Sequence, residues 1–575
     1  MRNKTLNILL LFYMLFLVFP TYAQKSITAG SDFYFIKSQT LFDYNNISTW
    51  IQNSGTFNQD IRTNNTPGFM WKKGSNRFAV FTTGLSIGTY IDGALRLATA
   101  SYNGEYQPGY IRLPTGLKKL RAYSDSTFKI YKVTTGDNCI NNPDWANWGS
   151  MIPYGAPYID ANLNYQYDAC IDTPGVAGAG QTLFVCLTDG FPENHSQSEG
   201  LSGGTRPINA EVRLTAWAFN NECTNLFRDT QFFRWQIINK NDVKWDSTIF
   251  SLVCDVDLGD VQDDYIGCDT IRQMGYCYNS DDDDGGMFYG SYGLNPPAVG
   301  MRILRSVRNK RSNNAENFGM SSFVFFTGTG SGGVICEQDP QQPLEAYDFM
   351  KGLKKDGSSY LVPTTLQPTK FVYPGNPETF TGWSERGTDG IDSLAKVNNC
   401  ESYAGDVSVS PPGDRRFIIS TGRPNLTINK LDTMEIIMTQ LITKGNDNFD
   451  AVKKLKSNSD LVRNLFTVFY NDDNPVISHY PINSNPLPTG FYLSDNYPNP
   501  FNPATRINYG LPIDFKLEIT VYDAVGNEVA KLFDGMQQAG NYTLEFNGNN
   551  LASGVYFLKM KSGAFIVTRK LMLLK

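Results

Sequence analysis

Apolar and polar residues alternate along most of this chain in short runs broken by Gly, Asn and Pro. "RFAVFTTGLSIGTY" at residues 77–90 and "ALRLATASY" at 94–102 set the pattern, and a period near two bounded by turn residues predicts antiparallel strands. Residues 24–133 are therefore expected to form an N-terminal β domain. Residues 134–340 continue in the same way through "QTLFVCLTDG", "AEVRLTAWAF" and "FFRWQIINK", with acidic loops between the strands. A helical period is faint until "PLEAYDFMKGLKKDG", which opens at Pro343 with acidic residues and closes with lysines before Gly357. "DNFDAVKKLKSNSDLVRNLF" at 447–466 predicts a second helix, so 341–473 reads as a β domain carrying short helices.

Two segments break the alternation. "MRNKTLNILLLFYMLFLVFPTYAQKS" places Arg2 and Lys4 ahead of an apolar run and ends it in Thr21, Tyr22 and Ala23, the anatomy of a signal peptide spanning residues 1–23. Residues 474–490, "NPVISHYPINSNPLPTG", hold four prolines and no period, and read as an extended linker. Beyond it, "KLEITVYDAVGNEVAKLF", "GNYTLEFNG" and "SGVYFLKMKSG" alternate strictly, which predicts an immunoglobulin-like β-sandwich over residues 491–575. The fold class expected is mostly β and multidomain, with β-sandwich-like domains and a few short helices.

Composition narrows the partners. At 575 residues the chain exceeds one ordinary hydrophobic core. No later run is long and apolar enough to span a bilayer, so the mature protein is expected to lack a transmembrane segment. A net charge of −6 supplies no basic stripe and argues against nucleic acid. Nine cysteines lie between Cys139 and Cys400, without a CxxC pair. Export makes disulfides permissible, and Cys254, Cys268 and Cys277 flank an acidic segment that one bridge would pin. The two histidines, His195 and His479, fall outside any HExxH and read as surface loop residues.

"NYPNPFNPATRINYGLP", "LEITVYDAVGNEV", "AGNYTLEFNGNNLASGVYFLKM" and the terminal "TRKLMLLK" occur in that order at the chain end. Together they resemble the type A C-terminal sorting domain of the type IX secretion system of Bacteroidota. The resemblance implies passage through the periplasm and recognition of residues 491–575 by the outer-membrane secretion machinery. It further implies a protein secreted or held at the outer cell surface, its tail removed and its cargo attached to lipopolysaccharide or released. "DLGDVQDDYIGCDTIRQMGYCYNSDDDD", "NPPAVG" and "GDRRFIISTGRPNLTINKLDTMEIIMTQLITKGNDN" resemble segments of large exported Bacteroidota proteins without an assigned activity, and that likeness supplies no catalytic residues.

Candidate chemistry lies in acidic loops. Between Asp255 and Asp284 stand ten aspartates and one basic residue, Arg272. Hard divalent cations prefer oxygen, and Ca2+ takes about 6 to 8 such ligands, so Asp255, Asp257, Asp260, Asp263 and Asp264 form one candidate calcium cage. "SDDDDGG" reads as a solvated loop, because adjacent carboxylates on an extended chain point to opposite sides. In "DANLNYQYDACID", Asp160, Asn162, Asn164 and Asp168 occupy positions 1, 3, 5 and 9 of a calcium loop. Tyr165 stands where glycine would turn the chain, Ile171 where a bidentate acid would sit, and Asp172 is placed to substitute for it one position later.

Two G-x-S-x-G matches, around Ser86 and Ser202, lack the strand-then-helix context of a nucleophile elbow. A hydrolase built from paired Asp or Glu carboxylates remains the alternative to a structural or binding component, because acids on distant strands can converge. The expectation is an exported binding or structural component with calcium loops, whose partner is an extracellular polymer or a surface component.

Overall fold

The computed structural model describes residues 36–469 and 492–575, apart from 63–65, 114–119, 163, 197–200, 202, 220–224, 286–289, 310–317, 329–334, 389–410, 424, 512–514, 538–539 and 563–564. The expected signal peptide, the linker at 474–490, Ser202 and His479 lie outside the described residues.

Two large antiparallel sheets build the body. In the first, Met320–Phe326, Arg415–Gly422, Asp246–Val256, Thr82–Ile91, Thr56–Phe57, Ile47–Gln52, Phe69–Trp71 and Phe78–Val80 lie side by side, with Gln39–Phe42 and Ala94–Ala98 added on Ile47–Gln52 and Thr82–Ile91. The second runs Gln107–Pro108, Gln181–Thr188, Ala210–Ala218, Thr230–Asn239, Thr433–Lys444, Pro297–Asn309, Met274–Asn279 and Asp264–Asp269, with Tyr131–Thr134 on Gln181–Thr188. Each sheet takes strands from both sides of residues 133 and 340, so those expected divisions do not separate hydrogen-bonded layers.

One hydrophobic core joins the sheets. Leu85, Phe250, Phe323 and Ile418 of the first pack in it with Leu214, Trp235, Met301 and Ile436 of the second. Phe57 and Phe233 stack across the gap with ring centroids 4.5 Å apart. The helix Asn448–Phe469 covers the other face of the second sheet. Its Ala451, Val452 and Leu455 pack on Tyr276, Tyr278 and Leu441, and Val462 and Phe466 pack on Trp217, Phe232 and Ile437. These residues recur at helical spacing, which is what an amphipathic helix needs to bury one stripe. The second predicted helix is therefore present, and the first occupies Pro343–Met350, started by proline and a Gln342/Glu345 capping box. No helix among the described residues is long and apolar enough to cross a membrane.

The tail has a core of its own. Tyr492–Leu493, Ala504–Leu511 and Gly540–Asn547 form one sheet, and Glu528–Gln537, Phe515–Tyr522, Gly554–Ser562 and Phe565–Leu573 form another. Leu517, Ile519 and Val521 alternate inward against Leu558, Met560, Leu571 and Leu573, all fully buried, while Ile507 and Leu511 fill the opposite side. The bonds Tyr497–Pro498, Asn499–Pro500 and Asn502–Pro503 are cis. This proline run closes on the chain end: Phe501 N donates to Met572 O (2.9 Å), and Leu574 N donates to Phe501 O (3.0 Å). The opening and closing motifs of the tail are thus two halves of one hydrogen-bonded unit.

Candidate metal centre

Asp246–Val256 sits inside the first sheet, paired with Arg415–Gly422 so that Asp255 faces Arg416 and Val256 faces Arg415. Two residues apart on extended chain, Asp255 and Asp257 project to the same side. Asp414, just ahead of the partner strand, completes the group. One carboxylate oxygen from each of Asp255, Asp257 and Asp414 lies within 4.8 Å of the other two.

The surroundings under-compensate this charge. Tyr102 Oη donates a short hydrogen bond to Asp255 Oδ2. Arg416 Nε donates to Tyr102 Oη at 2.7 Å, stands 3.4 Å from Asp255 Oδ1, and Arg416 Nη1 donates to Asp414 Oδ2 at 3.2 Å. Asp255 Oδ1 and Asp414 Oδ1 are both buried and accept no hydrogen bond. Burial pushes the Asp255 carboxyl up to about 7, with Arg416 opposing and Asp414 adding to the rise. Asp257 is pushed up by burial and then by Asp255 and Asp414. Once ionised, three carboxylates facing one guanidinium leave an excess of two negative charges, the charge one divalent cation cancels.

Asp260 and Asp263 stand in the turn that follows and Asp264 opens the strand Asp264–Asp269; none of the three belongs to the triad. Asp264 Oδ2 accepts from Leu258 N at 3.1 Å, Asp260 N donates to Asp284 Oδ1 at 2.7 Å, and burial raises Asp263 to about 6. Within "SDDDDGG", Asp281, Asp282 and Asp283 are exposed and only Asp284 of the four is buried, so the loop is solvated except at Asp284.

The 160–172 loop closes on itself. Asp160 accepts from Asn164 N (3.2 Å) and Tyr165 N (2.7 Å), while the Asn162 and Asn164 amides donate to Asp168 Oδ2 at 2.9 and 2.7 Å. Those two amides hold the Asp168 carboxyl below its usual range. Asp172 turns back into the loop, accepting from Ala161 N (2.9 Å) and Asp168 N (2.7 Å). Tyr165 takes φ +61°, the left-handed turn conformation that glycine would adopt freely. A Cys139–Cys170 disulfide ties the loop down.

Cys254, Cys268 and Cys277 are buried free thiols, so no bridge pins the acidic segment; they fill core space instead. Cys336 is disulfide-bonded. His195 is no surface residue: its side chain is 2% exposed, 3.5 Å from Glu105 and 3.6 Å from Asp189. Ser86 is buried within the strand Thr82–Ile91. Its flanking glycine has a packing cause, since a Cβ on Gly84 would fall 1.6 Å from Ala100 O. Sequence reasoning missed Asp414, Tyr102 and Arg416; the one local trace was "GDRR" at 413–416, charge placed just before an apolar strand.

At the tail, the ordered motifs, the two small sheets and the closure of the proline run on the last strand coincide with a family match to the secretion system C-terminal sorting domain at residues 495–574. Residues 495–574 are a type IX secretion sorting domain. The sorting domain makes this an exported protein, delivered to the outer surface or the medium by engaging the type IX machinery. No curated protein matches the chain in sequence. Among solved structures it is similar to a polysaccharide lyase, at 8% identity and a TM-score of 0.17, over 81% of this chain and 47% of that one. It is also similar to the adhesin domain of Epf from Streptococcus pyogenes, at 6% identity and a TM-score of 0.14, over 64% and 94%. The chain spans about half the length of the lyase chain.

Proposed function

We propose that the body delivered by the sorting domain is a binding or structural component of the cell surface or medium, its strands locked by calcium. The observation that carries this reading is the triad of Asp255, Asp257 and Asp414, whose excess charge faces a single arginine. Ca2+ suits it better than Mg2+, because carboxylates set by a strand pair supply irregular oxygen geometry and Mg2+ demands a near-ideal octahedron. Bound there, the ion ties two neighbouring strands of the first sheet together. The 160–172 loop is the second calcium site of this reading, with Asp160, Asn162, Asn164, Asp168 and Asp172 as ligands. Its partner is an extracellular polymer or a surface component.

Thermal melting of the secreted protein tests this. Millimolar Ca2+ raises the melting temperature above Mg2+ and NaCl controls, by about 2.7 kcal/mol of stability when the ion stands at a hundred times its Kd. Asp257→Asn with Asp414→Asn removes the triad's share of the shift and leaves the loop's. Equal melting in all three salts refutes calcium binding.

A second reading, an extracellular hydrolase acting through the same acids, is favoured by the raised Asp255 carboxyl, which is poised near neutrality to donate a proton. Release of reducing ends from a polysaccharide, abolished in Asp255→Asn, distinguishes it from binding without turnover.

A further inference from the structure

A cleft of about 340 Å3, lined by none of the triad residues, opens between the hairpin tip at 269–273, the loop at 374–378 and the first half of the helix Asn448–Phe469. Its volume falls at the lower end of the usual range for small-ligand sites, about 300–1,000 Å3. At its wall Lys456 is 8% exposed and lies 5.2 Å over the Tyr276 ring. Its Nζ donates to Asn376 Oδ1 (3.0 Å) and Glu378 Oε1 (3.1 Å). An ammonium has three N–H donors, and these two bonds occupy two of them. Arg272 is fixed from two sides, donating to Asp269 Oδ2 at 2.8 Å and to Asp460 Oδ2 at 2.8 and 3.0 Å.

One helical turn before Lys456, Lys453 lines the same cleft, is exposed, and makes no ion pair among the described residues. The lining thus carries three cations, Arg272, Lys453 and Lys456, against Asp269 and Glu378, an excess of one positive charge on a chain of net −6. Thr270, Asn376 and Ser457 add hydroxyl and amide groups, and Ile271 with Pro374 supplies the aliphatic surface.

We infer that this cleft binds a singly charged, hydroxyl-rich ligand, a uronate residue of an acidic polysaccharide. Its carboxylate pairs with Lys453 and the remaining Lys456 N–H; its hydroxyls meet Asp269, Asn376, Glu378 and Ser457. A phosphate dianion is disfavoured, because Asp269 and Glu378 already neutralise two of the three cations. The inference rests on the reading of the body as a binding component and names the polymer class it holds.

Titration calorimetry of the full-length secreted protein tests it, using trimers of galacturonate, glucuronate and mannuronate as probes, with maltotriose, inorganic phosphate and tetraglutamate as controls, each with Ca2+ and with chelator. At least one uronate trimer binds, maltotriose and phosphate do not, tetraglutamate binds more weakly, and Lys453→Glu weakens the uronate at least tenfold. Lys453 is exposed, so this variant keeps its fold, which an unchanged melting curve verifies. Absence of uronate binding, equal binding by Lys453→Glu, or phosphate or tetraglutamate binding as tightly as the uronate overturns the inference. The cleft shares no side chain with the metal centre. A calcium melting shift without uronate binding therefore sinks this inference alone, and uronate binding without a calcium shift sinks only the calcium reading.

Discussion

Asp255 faces Arg416 in antiparallel register, yet the arginine's Nε stops 3.4 Å from Asp255 Oδ1 without forming a hydrogen bond and donates to Tyr102 instead. The sheet therefore brings a cation to the triad and leaves its charge incompletely balanced.

Stability without metal should depend on pH in a definite direction. Burial raises Asp255 from 3.8 to about 7 and raises Asp257 as well, so the folded state holds protons that the unfolded chain releases. The contribution of these carboxyls is complete below the unfolded pKa and is lost as pH rises through the folded one. Chelated protein is expected to melt at progressively lower temperature between pH 4 and 7, measured by calorimetry, and saturating Ca2+ should flatten that fall. A melting temperature that climbs over this window in chelator would contradict the charge assignment.

At the loop, Tyr165 holds φ +61° with its side chain 74% exposed, so it contributes a strained backbone and little packing. Left-handed geometry costs a non-glycine residue about 1–2 kcal/mol. Tyr165→Gly should stabilise the calcium-bound protein by about 0.5–1 kcal/mol after glycine's greater unfolded freedom is subtracted. Denaturant titration in Ca2+ reads this directly, and a loss of stability would mean that the tyrosine ring does more than its exposure indicates.

The same loop was legible in sequence and the triad was not, for one physical reason. Asp160 to Asp172 are local, so their spacing alone brings them into one turn, where Asp172 turns back to accept from Ala161 N and Asp168 N. Asp414 reaches Asp255 only through the pairing of strands that are distant in sequence, and alternation within a strand carries no information about its neighbour. Strand existence was readable from runs such as "FFRWQIIN", but their burial was not. Thr230–Asn239 is buried along its whole length because the helix Asn448–Phe469 helps cover its second face. Its polar Gln231 is accommodated by a hydrogen bond from Gln440 Nε2 to its Oε1 (2.7 Å).

Loop closure by Cys139–Cys170, across 31 residues of sequence, removes unfolded-state freedom equivalent to about 3–4 kcal/mol. Cys139→Ser with Cys170→Ser should lower stability by up to that amount and make residues 139–170 a preferred site of limited proteolysis, mapped by mass spectrometry. An unchanged cleavage pattern would show that the loop holds without its tie.

Within the sorting domain, Asn499 clasps the last strand from both sides, its Nδ2 donating to Lys570 O (3.0 Å) and its Oδ1 accepting from Met572 N (2.9 Å). Removing residues 568–575 deletes that strand's partner groups together with the fully buried Leu571 and Leu573. Each buried leucine truncated to alanine typically costs about 2–5 kcal/mol. Export of the truncated protein should stop in the periplasm, as should export of Leu571→Ala with Leu573→Ala, whereas Asn499→Ala should slow it. Cell fractionation would count against this account if the truncated chain reached the surface at the normal level.

Equilibrium dialysis against labelled Ca2+, with the secreted protein and its Asp257→Asn, Asp414→Asn double variant side by side, tests calcium binding by the body most directly. One ion at the triad and one at the 160–172 loop are predicted for the native protein, with the triad ion alone lost in the variant. No bound calcium at millimolar concentration, or the same stoichiometry in both proteins, would contradict the assignment of Asp255, Asp257 and Asp414 as a metal centre.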